Sequence, residues 1–269
     1  MSSSATQQPE TPPLPAMGFL QHLEELRKRI IWSIVYIVIG FGLCWNYHEQ
    51  IWNWIQKPII TALTANKMDT QLVYTNPTEP FNIFLKVALI AGIFLASPFV
   101  LYQIWAFIAP GLYRNEKRYV LPFMFSTVAL FVGGGLFGYY MVYPAALTFL
   151  IEFSKGSPGS LLQLKPMITI TEYLDLFMTI IIGLGIVFEM PILVFFLALF
   201  GVVSAGWMWR NLRYSILIIF IIAAIITPTT DILNMCIFAA PMIVLYLVSI
   251  GVAYVVHPKQ RNRKKVQEG

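Results

Sequence analysis

Tyr173 to Phe200 reads YLDLFMTIIIGLGIVFEMPILVFFLALF, with Asp175 at its edge and Glu189 deep inside. Coiled as an α-helix at ~1.5 Å per residue, the chain climbs about 24 Å from Tyr173 to Glu189 and continues to Phe200, which is enough to cross a ~30 Å hydrocarbon core. Glu189 therefore falls within the membrane. An acid at such depth costs about 3 kcal/mol on insertion scales and marks a candidate functional site facing the bundle interior or a wet cavity. The plain alternative is a protonated glutamic acid hydrogen-bonded to a neighbouring helix.

The rest of the chain agrees with a lipid-solvated protein. Hydrophobic residues make up 58% and charged residues 12%, half the charge of an ordinary soluble domain. Six spans are predicted: Ile30 to Tyr47, Phe81 to Phe107, Tyr119 to Val142, Tyr173 to Phe200, Tyr214 to Ile226 and Leu233 to Val256. The fifth is short, about 20 Å as a helix, before Thr227-Pro228-Thr229-Thr230-Asp231 turns the chain back. The fold class is an all-α polytopic membrane protein, with residues 19–256 as one membrane domain between a polar tail (1–18) and a basic tail (257–269). No connection is long enough to hold a second core.

Charge orients the spans. With six crossings both termini share one side, which then holds Arg27, Lys28, Arg29, Arg114, Lys117, Arg118, Arg210, Arg213, Lys259, Arg261, Arg263, Lys264 and Lys265, while Lys57, Lys67, Lys86, Lys155 and Lys165 face the other. The positive-inside rule places that side in the cytoplasm. The net charge of +5 thus reports topology and contact with membrane lipid, not nucleic-acid binding. No small-residue cleavage site follows the first apolar run, so it reads as a retained helix. Cys44 and Cys236, near the outer ends of their spans, lack metal-ligand spacing and say little; an outer-face disulfide between them is the disfavoured reading.

Several local features carry expectations. Ile51, Trp52, Trp54, Ile55, Ile59 and Ile60 recur at helical spacing around Pro58, the pattern of an amphipathic cap lying at the outer interface. Tyr143 to Glu172 reads as an outer loop ending in a capping box of Thr169 and Glu172. Pro98 and Pro191 should bend or open their helices, and Gly134 with Gly138 permit close helix approach, within the chain in preference to between chains. No internal repeat marks a transporter architecture.

Two cytoplasmic segments set acids among bases: His22-Leu23-Glu24-Glu25-Leu26-Arg27-Lys28-Arg29 and Ala109-Pro110-Gly111-Leu112-Tyr113-Arg114-Asn115-Glu116-Lys117-Arg118. Acids contribute little to orientation. Glu25 and Glu116 either pair locally, Glu25 with Arg29 at i,i+4 and Glu116 with Arg114 or Arg118, or serve a ligand.

These segments, with Tyr102-Gln103-Ile104-Trp105-Ala106-Phe107 before the second, Phe188-Glu189-Met190-Pro191, Thr227-Pro228 to Asp231, and Pro241, resemble the TatC family, the polytopic subunit of the twin-arginine protein translocase, from Phe19 to about Val256. The resemblance implies a cupped six-helix assembly in the bacterial cytoplasmic (inner) membrane. It implies a non-enzymatic receptor, without a cofactor, that binds signal peptides carrying adjacent arginines and assembles with TatA-like and TatB-like single-span subunits in an oligomeric complex. Energy would come from the proton gradient, since no Gly-rich phosphate loop is present.

By that resemblance Glu25 and Glu116 accept the two guanidinium groups, on a surface shared with His22, Leu26, Arg27, Phe107, Pro110, Tyr113 and Arg118. Carboxylates take arginine through paired, charge-assisted hydrogen bonds that the point charge of lysine does not reproduce. Glu189 would contact a polar side chain of a partner helix within the bilayer. Glu24 is extra negative charge, assigned to local pairing. One departure stands out: the sixth span carries Leu247 where much of the family has an acid, so no partner contact is assigned there. The rival reading is a proton- or cation-coupled small-molecule transporter titrating Glu189; an intramembrane hydrolase is disfavoured because His22, His48 and His257 all lie outside the spans.

Overall fold

The computed structural model describes residues 19–108, 120–154, 167–199, 201–227 and 232–267. The helices are α1 (Phe19–Trp45), α2 (His48–Ile55), α3 (Lys57–Ala65), α4 (Glu79–Ile108), α5 (Val120–Phe137), α6 (Tyr143–Ser154), α7 (Ile170–Phe188), α8 (Met190–Leu199), α9 (Ala205–Arg210), α10 (Leu212–Ile226) and α11 (Ile232–Gln267). Among the described residues the only extended pairing is an isolated bridge between Val73 and Thr169. Among the described residues, five stretches are long and apolar enough to cross a membrane: Leu20–Trp45, Glu79–Phe107, Phe123–Ser154, Ile170–Leu199 and Met235–Tyr254. The expected fifth span is α10, whose 15 residues reach about 22 Å.

Prolines set the breaks, and each does so differently. Pro191 has no N–H to continue the ladder of α7, and the chain opens at Glu189, which joins α7 to α8 with its carbonyl accepting from Ile192 N and Leu193 N at 3.1 and 2.9 Å. Pro98 leaves α4 unbroken. Its missing donor would have served Phe94 O, and Ser97 Oγ fills that place at 2.7 Å. Before Pro144 the helix widens into a π-helical turn, Gly138–Val142, the register change that an inserted residue imposes. The helix then continues as α6.

That continuation corrects the expected outer loop from Tyr143 to Glu172, whose first twelve residues are helical. Tyr143, Ala146, Leu147 and Ile151 are buried, so one apolar face extends the third span. The predicted capping box is also absent: Thr169 precedes α7 with an extended backbone and no side-chain cap bond. Its surroundings supply the order instead, with Ile170 N donating to Val73 O at 2.9 Å and Val73 N to Ile168 O at 3.0 Å.

The outer cap is tied to the helices beneath it. Ile55 and Ile59, in α2 and α3, are wholly buried in the main core beside Tyr143, Leu174 and Phe177. Part of the apolar face therefore meets protein, while Trp54 and Ile60 remain exposed. Tyrosines fasten it: Tyr139 Oη donates to Trp54 O at 2.8 Å while its ring stacks on Trp54 at 3.8 Å, and Tyr173 Oη donates to Ile55 O at 2.6 Å. The helical register would pair Trp54 O with the N–H of residue 58, which Pro58 lacks.

Glycines bring the backbones close at two of the helix pairs, α1 with α4 and α5 with α7. α1 lies on α4, α5 on α7, and α8 and α10 on α11. A Cβ on Gly134 would sit 2.7 Å from Leu184 O, and one on Gly138 3.1 Å from Ile181 Cδ1, so both glycines serve packing within the chain as expected. Lys86 of α4 pairs with Asp175 of α7, partly exposed, a contribution of less than about 1 kcal/mol in that setting. Cys44 is buried and Cys236 exposed, and both thiols are free.

Candidate functional site

The cytoplasmic site grows from the pairing of α1 with α4. Almost none of the apolar stretch of α1 is buried, so α4 fixes its place. Four contacts run along the antiparallel pair. A Cβ on Gly40 would lie 2.6 Å from Gly92 O, Tyr36 stacks on Phe99 at 5.2 Å, Arg29 Nη1 donates to Gln103 Oε1 at 2.9 Å, and His22 stacks on Phe107 at 4.4 Å. Partner numbers rise on α4 as they fall on α1, as one continuous seam requires.

Beside the seam lies an open groove of ≈ 500 Å³ lined by Gln21, Glu24, Glu25, Lys28, Arg29, Trp32, Tyr36 and Gln103. Seven of these come from α1 at spacings of three, four and seven, a single helical face. Glu25 Oε1 accepts from Arg29 Nη2 at 3.0 Å, with the two side chains 21% and 28% exposed. The expected i,i+4 pair is therefore formed. It is a single-point contact, and among the described residues the second carboxylate oxygen of Glu25 has no hydrogen bond. Glu24 lines the same groove exposed and forms no ion pair among the described residues, which corrects its assignment to local pairing.

Of the other expected site residues, His22 and Phe107 are brought together, Leu26 is half-buried, and Arg27 is exposed. Pro110, Tyr113, Glu116 and Arg118 lie outside the described residues. Sequence reasoning missed Gln103. It sits four residues before Phe107 on one face of α4, and that spacing is the signal that would have found it. Gln103 is nine-tenths buried, yet its amide oxygen reaches the guanidinium of Arg29.

The second site is Glu189, at the joint between α7 and α8. Both of its carboxylate oxygens are shut off from solvent and accept no hydrogen bond among the described residues. Trp105 Nε1 and Thr227 Oγ1 are likewise buried without partners among the described residues. A buried acid with nothing to bond is an unmet demand.

Comparison with known proteins places this arrangement. A family model for TatC, Sec-independent protein translocase protein, matches residues 21–241. The chain belongs to the TatC family. The Sec-independent protein translocase protein TatC of Koribacter versatilis (strain Ellin345) is 72% identical over 256 residues, covering 95% of this chain and 92% of that one. That of Aquifex aeolicus (strain VF5) is 34% identical over 252 residues, 94% of this chain and 100% of the relative. The fold is similar to a crystal structure of the twin-arginine translocase receptor TatC, with a TM-score of 0.73 and 35% identity over 86% of this chain and 97% of that one.

As a TatC family member with several membrane-spanning helices, the chain is a multi-pass inner-membrane component of a protein translocase. Family membership favours translocation over the small-molecule transporter reading. TatC works as one subunit among others of its translocase. Leu247 on α11 is exposed and the neighbouring Tyr246 is buried, its hydroxyl donating to Met208 O at 3.1 Å and accepting from Ser215 Oγ at 2.7 Å.

Proposed function

We propose that the groove on α1 receives signal peptides bearing two adjacent arginines, with Glu25 taking one guanidinium and Glu116 the other. The observation that carries this reading is the state of Glu25. It is a half-buried carboxylate on the cytoplasmic stretch of α1, engaged among the described residues at one oxygen only, in a groove with room for a peptide side chain. Bidentate, charge-assisted bonds favour arginine over lysine there. His22, Leu26, Arg27, Phe107, Pro110, Tyr113 and Arg118 complete the surface. Both termini face the cytoplasm, in keeping with the distribution of basic residues.

Glu189 supplies the second half of the function. A polar side chain on the single transmembrane helix of a TatA-like or TatB-like subunit satisfies its carboxyl group, and in lipid such a bond is specific because few alternatives exist. The assembled subunits pass folded cargo, driven by the transmembrane proton gradient.

Photo-crosslinking probes placed at positions 25 and 116 test the receptor half. The arginine region of a precursor should label at both positions, and a Lys-Lys version should label poorly. Equal labelling of the two precursors rejects the assignment.

A further inference from the structure

The Arg29 guanidinium lies between two acceptors of different kind. Nη2 meets the charged Glu25 Oε1 at 3.0 Å, and Nη1 meets the neutral Gln103 Oε1 at 2.9 Å. We infer that Arg29 is a resident stand-in for a peptide arginine, occupying Glu25 until a better-matched guanidinium displaces it, and that Gln103 holds Arg29 aside when it does. This rests on the receptor reading above and deepens it to the question of specificity.

The argument is one of exchange. An incoming arginine can offer Glu25 two parallel N–H donors where Arg29 offers one, so the exchange gains a hydrogen bond. A lysine offers a point charge. It replaces one single-point contact with another and gains nothing. Arg29 thereby raises the threshold for every cation, and the fork geometry of arginine alone clears it. Rejection of the wrong ligand through a competing internal contact is a recognised source of specificity.

Gln103 suits the second role because it is neutral and fixed. The residue is 7% exposed, held within α4 against α1, so its amide oxygen stays where Arg29 can find it. A carboxylate at that position would capture Arg29 outright and leave Glu25 open to any cation. An apolar residue would leave a displaced Arg29 without a partner, which penalises displacement. The amide does neither.

The test measures binding of two synthetic signal peptides, one Arg-Arg and one Lys-Lys, to the full chain in lipid nanodiscs. Arg29→Gln should strengthen Lys-Lys binding more than Arg-Arg binding and narrow their ratio by about threefold, the scale of a partly exposed ion pair. Lys28→Gln removes the same charge from the same groove without touching the Glu25 contact, and should shift both peptides alike. Gln103→Leu should weaken Arg-Arg binding by about threefold, with Arg29→Gln restoring it in the double variant. An unchanged ratio in Arg29→Gln, an equal narrowing in Lys28→Gln, or a Gln103→Leu defect that the double variant fails to rescue overturns the stand-in role. Equal binding of both peptides by the unaltered chain overturns the receptor reading with it, so the two failures are distinct.

Discussion

Ser97 Oγ donates to Phe94 O at 2.7 Å, taking the place of the N–H that Pro98 lacks. Within hydrocarbon no water can serve that carbonyl. Ser97→Ala should therefore lower stability by about 1 kcal/mol, and by less in a Pro98→Ala background, where the backbone donor is restored. Thermal unfolding of both single variants and the double variant in detergent measures the coupling. Strict additivity would reject the substitution of hydroxyl for amide.

Gly92 touches α1 more closely than any side chain permits. A Cβ there would lie 2.6 Å from Phe41 N and 2.9 Å from Gly40 C, both backbone atoms. Gly92→Ala should push the two helices apart at a cost on the order of 1–3 kcal/mol. Oxidative crosslinking of a Tyr36→Cys, Phe99→Cys pair should then fall several-fold. Gly42→Ala is the control, because nothing lies within 4 Å of its Cβ position; similar losses in both would show that the crossing is not set by Gly92.

The outer cap should loosen when its phenol anchor is removed. Tyr173→Phe deletes the 2.6 Å bond to Ile55 O, worth about 1 kcal/mol. Amide exchange in residues 48–65 should quicken while that in α11 stays constant. Uniform acceleration across the molecule would instead mean global destabilisation.

Glu189→Ala should reduce copurification of a single-span partner several-fold and leave Arg-Arg peptide affinity in place, because the groove at Glu25 is built from α1 and α4, not from α7 or α8. Unchanged copurification would remove Glu189 from the partner contact.

The spans were legible because apolar runs of twenty or so residues have one physical destination. The short fifth helix was visible in the thirteen residues before Thr227, and the joint at Glu189 in the position of Pro191. Other features depend on neighbours far along the chain. The apolar stripe of α2 and α3 reads the same whether it meets lipid or Tyr139 and Tyr173, which lie 85 and 118 residues from their acceptors. Thr169 and Glu172 have capping-box spacing, yet the Val73 bridge orders that end of α7. At the candidate site, Glu25 with Arg29 was readable as a local pair; Gln103, 74 residues away, became part of it only when α4 settled on α1.

The tyrosine hydroxyls of the outer cap grip the main chain, at Trp54 O and Ile55 O, while the Tyr139 ring also stacks on Trp54. Any residue in those two positions would present the same oxygen. The roof over the far end of the helices is consequently fastened at its backbone, so a substitution on its outward face leaves both of those clasps in place.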